Sequence, residues 1–408
     1  MHAAAAGLDP RERAFAHELA YGTTRLRGRL DHLLARHVHR GLADLDPVVL
    51  EVLRLGAYQL LYLGGVPAYA AVSQSVDQAR GRAGSGPAGL VNAVLRKVAD
   101  SGEALGLFPD FGHDPAGFLA TWGSHPRWLV DRWLSRWEPA AVRSLVEANN
   151  AQPSLCLVPL DLEPHEATSR LAAAGLEAEP VGEGTRCLRL GEGVTPAAAL
   201  AALPHSIAQD PAANLVVAYA DVPTGMKVAD LCAAPGGKAL AVSNRPSYTL
   251  AVDRSEARLR MVRENVARTE RALGLVVADA RRPPLRDVDV VLLDAPCSGT
   301  GTLARRPDAR WRLTPASIAE LARLQREMLV AAADAVVAGG LLVYSTCTLE
   351  PEENEAQVEA FLAERHDFRI EVTDAVPARY LDGRGRLVVT PQDGGFDGAF
   401  AARLRRVS

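Results

Sequence analysis

Two cysteines lie in short motifs that directly follow apolar segments typical of β-strands. Cys297 belongs to Asp-Ala-Pro-Cys-Ser-Gly-Thr-Gly at 294–301, and Cys347 belongs to Tyr-Ser-Thr-Cys-Thr at 344–348. Open α/β sheets place their reactive groups at the carboxyl ends of parallel strands. Because a thiolate is a strong nucleophile, this placement predicts that both thiols do chemistry at one sheet edge.

A third motif has the composition of a cofactor-binding turn between a strand and a helix. Residues 230–238 read Asp-Leu-Cys-Ala-Ala-Pro-Gly-Gly-Lys. The dinucleotide pattern Gly-x-Gly-x-x-Gly is absent, and Ala239 after Lys238 breaks the phosphate-loop pattern, which needs serine or threonine there. The turn therefore favours a nucleoside-containing cofactor outside those two classes.

Carboxylates recur at the ends of four predicted strands, at Asp230, Asp253, Asp279 and Asp294. Together they would repel a pyrophosphate. They would attract a sulfonium cation and accept hydrogen bonds from a ribose diol and an adenine amino group. S-adenosyl-L-methionine carries all three groups, so the four carboxylates predict that cofactor. One such aspartate alone would more simply be a helix cap or a solvated loop residue.

Two thiols suit methyl transfer to C5 of cytosine. C5 is a poor nucleophile until a thiolate adds at C6, and a base must later remove the C5 proton so that the enzyme thiol can leave. These residue types leave open which of Cys297 and Cys347 attacks. The alternative for either thiol is a small buried apolar side chain. We adopt that interpretation for the other cysteines, which are Cys156, Cys187 and, apart from backbone contacts with the cofactor, Cys232.

A basic segment follows the first cysteine motif. Residues 303–312 contain four arginines, one aspartate and one tryptophan. Arginines can contact phosphates and a tryptophan can stack on a displaced base, so the segment predicts nucleic-acid contacts. A solvated loop is the alternative.

The composition of the 408 residues predicts two or three domains, and 48% hydrophobic with 23% charged residues is typical of soluble proteins. The first residues contain no apolar run long enough for a signal peptide or a membrane span, so we expect a cytoplasmic protein without membrane contacts. The five cysteines include no Cys-x-x-Cys pair, which argues against a disulfide framework and a cysteine-based zinc site. We expect no metal.

The predicted elements divide the chain into three parts. Residues 1–105 form an all-helical domain, and Gly, Pro and Asp in 107–115 indicate a linker. Residues 115–205 hold a helical linker and a small α+β module. Residues 206–408 alternate strands with helices, which predicts a Rossmann-like parallel sheet covered by helices on both faces.

Several element bounds can be placed from capping residues and apolar runs. One helix begins at Asp46-Pro47, another follows Gly86-Pro87, and a long helix covers Ser317–Val337. The strands of the sheet are predicted at Val228–Asp230, Thr249–Asp253, Leu275–Ala278, Val288–Asp294 and Leu341–Ser345.

Charge is distributed unevenly along the chain. The net charge is −4, but residues 1–99 carry twelve Lys and Arg against eight Asp and Glu. This excess predicts that the amino-terminal part faces nucleic acid. The chain has only three lysines, so a compositional bias toward arginine is the alternative explanation.

The motifs at 230–238, 252–255, 294–301 and 345–347 resemble those of the RNA (cytosine-5) methyltransferases. Residues 13–97, including Ala-Tyr-Gly at 20–22 and Gly-Leu-Val-Asn-Ala-Val-Leu-Arg-Lys at 89–97, are similar to the NusB-like RNA-binding domain. The second resemblance points to the branch of the family that acts on bacterial 16S ribosomal RNA. It implies a monomer whose partner is 16S RNA or an assembling small subunit.

The resemblance also implies residue roles. Cys347 would be the nucleophile and Cys297 would help to release the methylated RNA, although Pro296-Cys297 has the form of the nucleophile of DNA cytosine-5 methyltransferases. Asp294 would also contact the cytosine. The residues implied to bind S-adenosylmethionine are Cys232, Ala233, Ala234, Pro235, Gly236, Gly237, Lys238, Asp253, Asp279 and Asp294.

Two positions depart from the family pattern. Ala239 stands where threonine is usual, and Gln209-Asp210 only approximates a family segment, so neither is placed in the site. The alternatives to the implied function are a non-catalytic RNA-binding ribosome assembly factor and C5 methylation of another RNA or of DNA.

Overall fold

The computed structural model describes residues 7–244 and 247–407. The chain forms two compact units. The first unit consists of residues 1–151 and 306–312, and the second consists of residues 152–305 and 313–408. Among the described residues, no helix combines the length and apolar character needed to cross a membrane.

The α-helices of the two units are, in chain order, α1 (Pro10–Arg25), α2 (Arg27–Ala35), α3 (Pro47–Tyr62), α4 (Ala68–Ala83), α5 (Ser85–Ser101), α6 (Pro115–Thr121), α7 (Arg127–Leu134), α8 (Pro139–Asn150), α9 (Pro164–Ala173), α10 (Pro196–Ala202), α11 (Pro211–Ala220), α12 (Gly237–Val242), α13 (Glu256–Thr269), α14 (Ala309–Arg312), α15 (Pro315–Asp334), α16 (Glu355–Glu364) and α17 (Pro391–Gly394).

The β-strands all belong to the second unit. They are β1 (Cys156–Pro159), β2 (Ala178–Pro180), β3 (Leu188–Leu190), β4 (Ser206–Ala208), β5 (Lys227–Asp230), β6 (Tyr248–Asp253), β7 (Gly274–Val277), β8 (Val288–Asp294), β9 (Val336–Thr346), β10 (Phe368–Ile370), β11 (Leu387–Val389) and β12 (Ala399–Arg406).

The first unit is all-helical, as predicted. Helix α3 begins where the sequence indicates, because the Asp46 carboxylate accepts a hydrogen bond from the Val48 amide at 2.7 Å and Pro47 occupies the first helical position. Helix α5 begins slightly before the predicted position, since Gly86 and Pro87 already lie in its first turn. Apolar side chains of α2, α3, α4 and α5 form one core.

The basic segment is anchored in the first unit through two of its side chains. Arg310 is fully buried and donates to the Asn150 side-chain oxygen at 2.7 Å and to the Asn149 carbonyl at 3.0 Å. The Trp311 indole N–H donates to the Thr24 carbonyl at 2.7 Å. These acceptors lie at the carboxyl ends of α8 and α1, where carbonyl groups attract cations and donors. The prediction of a phosphate contact is therefore wrong for Arg310.

The second unit contains a small antiparallel sheet with strand order β2-β3-β1-β4. Helices α9 and α10 pack on it through an apolar core that includes Leu157, Leu171 and Leu188. This is the small α+β module predicted from the sequence. Its last strand, β4, comes directly before α11.

The larger sheet of the second unit has the order β10-β12-β9-β8-β5-β6-β7, with β11 paired to β12. Strands β5 to β9 run parallel, as predicted, while β10, β11 and β12 pair antiparallel and extend the sheet beyond β9. The long helix α15 ends at Asp334, and Val336 and Val337 belong to β9 rather than to the helix. Strands β10, β11 and β12 were not predicted from the sequence.

The strand order determines which side chains meet. Asp230, at the end of β5, pairs in register with Leu292 of β8 and Ala251 of β6, and Asp294, at the end of β8, pairs with Ser345 of β9. The carboxyl ends of β6, β5, β8 and β9 therefore form one continuous edge, where a parallel sheet binds its ligands.

Candidate active site

The two predicted reactive cysteines lie side by side at this edge. The Sγ atoms of Cys297 and Cys347 are 3.3 Å apart, and the Cys347 amide donates to the Cys297 sulfur at 3.4 Å. Both residues are partly exposed. The adjacent strands β8 and β9 end at neighbouring positions, so each carries its cysteine into the same space.

The surroundings of Cys297 favour its neutral form. The hydrogen bond with Cys347, followed by burial, raises the pKa of the Cys297 thiol well above its ordinary value. A protonated Cys297 can donate a hydrogen bond to the Cys347 sulfur.

The other three cysteines are placed as small apolar residues. Cys156 and Cys187 lie in an apolar cluster with Ile207 and Leu240. Burial raises the pKa of Cys156 to about 11 and raises the pKa values of Cys187 and Cys232 further. A thiol of this kind is a poor nucleophile at neutral pH.

A partly buried ion pair borders the two thiols. Lys238, at the start of α12, donates from Nζ to Asp294 Oδ2 at 2.7 Å, and Ser345 Oγ donates to Asp294 Oδ1 at 2.9 Å. Burial alone would lower the pKa of Lys238, but the charge of Asp294, its hydrogen bond to Lys238 and the charge of Asp230 together outweigh burial and raise the pKa. Lys238 is therefore a cation, with its charge fixed beside the carboxylate that follows β8.

Asp230 and Asp253 complete the central group of carboxylates. Burial, followed by the charge of Asp294, raises the pKa of Asp230 to about 7. Asp253 is almost fully buried and accepts hydrogen bonds from the amides of Ser255 at 2.9 Å and Ala234 at 3.3 Å. Asp253 thereby ties the end of β6 to the turn after β5.

Asp279 follows the next strand, β7, but its carboxylate faces a cation. Arg281 donates to it at 2.7 Å, and hydrogen bonds from the Arg281 side chain and backbone lower the pKa of Asp279 to about 2. Arg281 also pairs with Glu327 at 3.4 Å. The four predicted carboxylates thus lie at the ends of β5, β6, β7 and β8, and two of them pair with arginines, Asp279 with Arg281 at 2.7 Å and Asp253 with Arg258 at 3.4 Å.

The backbone of the turn at 230–238 is closely approached by neighbouring side chains. Gly236 adopts a left-handed conformation with φ +104°, and a Cβ atom on Gly237 would lie 3.1 Å from the Gln209 side-chain nitrogen. The Asp230 carboxylate accepts from the Cys232 amide at 3.3 Å. A close backbone turn lined by carboxylates fits the cationic sulfonium, the ribose diol and the adenine amino group of S-adenosylmethionine.

A buried carboxyl group beneath the thiols was not predicted. Glu353 is fully buried and accepts hydrogen bonds from the Ser298 amide at 2.8 Å and the Gln325 side chain at 2.9 Å. The available signal was the acidic run at 352–355 shortly after Cys347. Acidic runs are usually solvated, so the sequence gives no indication that one of these glutamates is buried.

Among the described residues, no group of histidine, cysteine, aspartate and glutamate side chains could hold a metal ion.

Comparisons with known proteins match each part of the chain to a family model. The model described as 16S rRNA methyltransferase RsmB/F matches residues 220–405, the NusB family model matches residues 2–100, and an RsmF/B-like ferredoxin-like domain matches residues 125–196.

Relatives match nearly the whole chain. The ribosomal RNA small subunit methyltransferase B of Vibrio cholerae is 35% identical, covering 91% of this chain and 86% of the relative. The enzyme of the same name from Pseudomonas syringae is 34% identical, covering 98% of this chain and 90% of the relative. The solved structure of PH0851 is similar in fold, with a TM-score of 0.80, 24% identity and coverage of 98% and 91% of the two chains.

The fold and the site define an S-adenosylmethionine-dependent methyltransferase with a NusB-like amino-terminal domain, which confirms the predicted fold class and cofactor. Within that class, the chain belongs to the RsmB/F family of ribosomal RNA small subunit methyltransferases. The resemblance to that family is thereby confirmed, and the class of substrate is RNA. The roles of individual site residues stay predictions. So do the domain boundaries, which were predicted as 1–105, 115–205 and 206–408.

Proposed function

We propose that this protein methylates C5 of a cytosine in 16S ribosomal RNA through a covalent bond between Cys347 and C6. The observation that carries the proposal is the pair of thiols 3.3 Å apart at the ends of β8 and β9, beside the Lys238–Asp294 ion pair. S-adenosylmethionine, bound by the turn at 232–238 with Asp253, Asp279 and Asp294, supplies the methyl group.

Cys347 and Cys297 have separate tasks in this mechanism. The Cys347 thiolate attacks C6, and the electron pair of the C5–C6 double bond makes C5 nucleophilic. After C5 has gained its methyl group, the Cys297 thiolate removes the C5 proton. The pair from the C5–H bond restores the double bond, and the C6–Sγ bond breaks with its electrons returning to Cys347.

The Lys238–Asp294 pair orients the base. Asp294 keeps one oxygen bonded to Lys238 and the other to Ser345, so its position is fixed before RNA arrives. A carboxylate held in this way can accept a hydrogen bond from the exocyclic amino group of cytosine. The target base must be unstacked to reach the edge of the sheet.

The covalent step can be tested by denaturing gel electrophoresis after incubation with undermodified 16S RNA and S-adenosylmethionine. Cys297→Ala should accumulate a protein–RNA adduct, because release is blocked after attack, whereas Cys347→Ala should form none. Cys156→Ala, which removes a thiol from the apolar cluster of the small module, is the control and should behave as wild type. The reverse pattern would assign attack to Cys297, as in DNA cytosine-5 methyltransferases.

Substrate choice is tested separately by following labelled methyl groups into 16S RNA, assembling small subunits and duplex DNA. We expect methyl transfer to RNA. By light scattering we expect a monomeric protein, with one protein chain per particle whether or not RNA is bound. Greater transfer to DNA would contradict the RNA assignment. Well-folded protein that binds cofactor but transfers no methyl group to any of the three would favour an RNA-binding assembly factor.

A further inference from the structure

Glu353 forms a hydrogen-bonded centre beneath the two cysteine segments. Its Oε1 accepts from the Ser298 amide at 2.8 Å and from the Gln325 side chain at 2.9 Å, and its Oε2 accepts from the Ser298 hydroxyl. The Tyr344 hydroxyl donates to the Glu353 backbone carbonyl at 2.6 Å. The carboxyl group therefore accepts three donors, two of them from the residue directly after Cys297.

The same centre reaches the segment that carries Cys347. The hydroxyl oxygens of Ser298 and Thr348 are 2.7 Å apart, and those of Thr300 and Thr348 are 3.0 Å apart. The Leu349 amide donates to the Thr300 hydroxyl at 2.9 Å. Every one of these side chains is buried. The residues that follow the two cysteines are thus joined by a buried polar network that ends on one carboxyl group.

The two cysteines depend on this network to different degrees. Strand β9 is paired on both sides close to Cys347, since its pairing with β8 extends to Ser345 and its pairing with β12 extends to Thr346. Cys297 lies in a loop beyond the end of β8. Gln325, which itself bonds Glu353, holds that loop by donating to the Pro296 carbonyl at 2.9 Å.

We propose that Glu353 is a positioning residue that holds the Cys297 segment, and with it the Cys297 sulfur, in place for release of the methylated base from Cys347. This inference rests on the proposed covalent function and adds a residue to it. Loss of the carboxyl group leaves the Ser298 amide and hydroxyl without their acceptor, and the loop can then shift. Attack by Cys347 depends on β9 and changes less.

The energetics of the site agree with a positioning role. Burial raises the pKa of Glu353, because a dry environment disfavours the charged form. A buried carboxyl group is costly unless its lone pairs are satisfied, and here three donors satisfy them. An apolar residue of similar size would fill the space more simply but could not fix Ser298.

The test separates formation of the adduct from its release. Single-turnover reactions with undermodified 16S RNA and S-adenosylmethionine are quenched over time, and the covalent and free methylated RNA are measured. For Glu353→Ala we expect release to slow by about tenfold or more, with the adduct accumulating, while adduct formation and cofactor affinity change by less than about threefold. Glu364→Ala, which changes an exposed glutamate at the end of α16, is the matched control.

Two milder variants keep the test decisive if Glu353→Ala does not fold. Glu353→Gln retains one acceptor oxygen. Its new NH₂ group can donate to the Ser298 hydroxyl oxygen if the Ser298 hydroxyl donates to Thr348 instead. We therefore expect a release rate between those of wild type and Glu353→Ala. Ser298→Ala removes one hydroxyl and should slow release in the same direction. Equal slowing of attack and release in these variants would overturn the inference. A wild-type ratio of covalent to free methylated RNA in both variants would overturn it as well.

The Cys297→Ala reaction distinguishes failure of this inference from failure of the proposed function. If Cys297→Ala forms no adduct, the covalent mechanism itself is wrong. If Cys297→Ala traps the adduct and the Glu353 and Ser298 variants release product at the wild-type rate, only the role of Glu353 is wrong.

Discussion

Cys297 is surrounded by groups that keep its thiol protonated at neutral pH. The hydrogen bond with Cys347 and then burial raise its pKa, and the nearby charge of Glu353 acts in the same direction. In the proposed mechanism Cys297 must be a thiolate to remove the C5 proton. Once Cys347 is bonded to the base its charge is gone, but burial of Cys297 remains.

Release of the product should therefore depend steeply on pH. Below the pKa of Cys297 its thiolate fraction rises about tenfold for each pH unit, so we expect the release rate to increase continuously from pH 7 to pH 9. The measurement is the decay of the preformed methylated adduct after a jump in pH. A release rate that is constant over this range would show that Cys297 is not the base.

At the scale of residues, the sequence allowed the placement of a side chain to be predicted where that side chain directly follows a strand. The two thiols, Lys238 and the carboxylates after β5, β6 and β8 are brought together as their spacing predicts. Glu353 could not be predicted in this way, because its proposed role depends on hydrogen bonds with residues far away in the chain, such as Ser298 and Gln325.

At the scale of elements, the apolar runs of the parallel strands gave clear signals, because β5, β6, β8 and β9 are mostly buried and even the half-buried edge strand β7 is apolar. The strands beyond β9 did not. Strands β10 and β11 are short, and β12 contains the buried Arg403, which pairs with Glu371 and interrupts the apolar pattern. The predicted helix ran too far because Val336 and Val337 continue its apolar pattern, and only the Gly339 turn, at φ +76°, separates them from the main part of β9.

Three backbone segments pack closely together: the loop after β8, the end of β9 and the start of β12. A single added methyl group at this contact should therefore displace the backbone. A Cβ atom on Gly301 would lie 2.8 Å from the Cys347 carbonyl oxygen and 2.8 Å from the Gly398 Cα, and both neighbours are backbone atoms that cannot turn away. Gly301 also donates to that carbonyl at 3.0 Å and accepts from the Gly398 amide at 2.7 Å. The Cys347 backbone must therefore move if Gly301 becomes alanine.

We expect Gly301→Ala to reduce methyl transfer by about 100-fold, because a shift of about 1 Å in a reacting group has an effect of that size. The measurement is the single-turnover rate of adduct formation, with cofactor affinity as a check on the fold. Gly383→Ala is the matched control, since nothing lies within 4 Å of its added Cβ. Equal rates for the two variants would mean that the close backbone contact does not fix Cys347.

At the scale of the whole molecule, the chain passes between its two units more than once. It enters the second unit after residue 151, returns to the first for residues 306–312 and leaves it again. The sequence placed those residues in a solvated or RNA-binding loop, because arginine is usually exposed. Only the tertiary structure reveals that carbonyl groups from three separate chain segments surround Arg310.

The anchoring of residues 306–312 predicts the stability of the first unit. Burial, followed by the charge of Arg25, lowers the pKa of Arg310 to about 9, so the guanidinium is held against a desolvation cost by its carbonyl and amide acceptors. Arg310→Ala leaves a cavity and unpaired acceptors around it. We expect the first unit to lose about 3 kcal/mol of unfolding free energy.

The distribution of tryptophan makes this prediction directly measurable. All five tryptophans, Trp122, Trp128, Trp133, Trp137 and Trp311, belong to the first unit, so denaturation followed by tryptophan fluorescence reports that unit alone. Calorimetric titration with S-adenosylmethionine reports the second unit. Arg312→Ala is the control, because the Arg312 side chain is 69% exposed and its ion pair within the described part of the chain is with Asp308, one helical turn away. If the unfolding transition of Arg310→Ala coincides with that of Arg312→Ala, then Arg310 contributes little to holding residues 306–312 in the first unit. A fall in fluorescence midpoint with unchanged cofactor affinity would show that the first unit depends on a segment encoded within the sequence of the second.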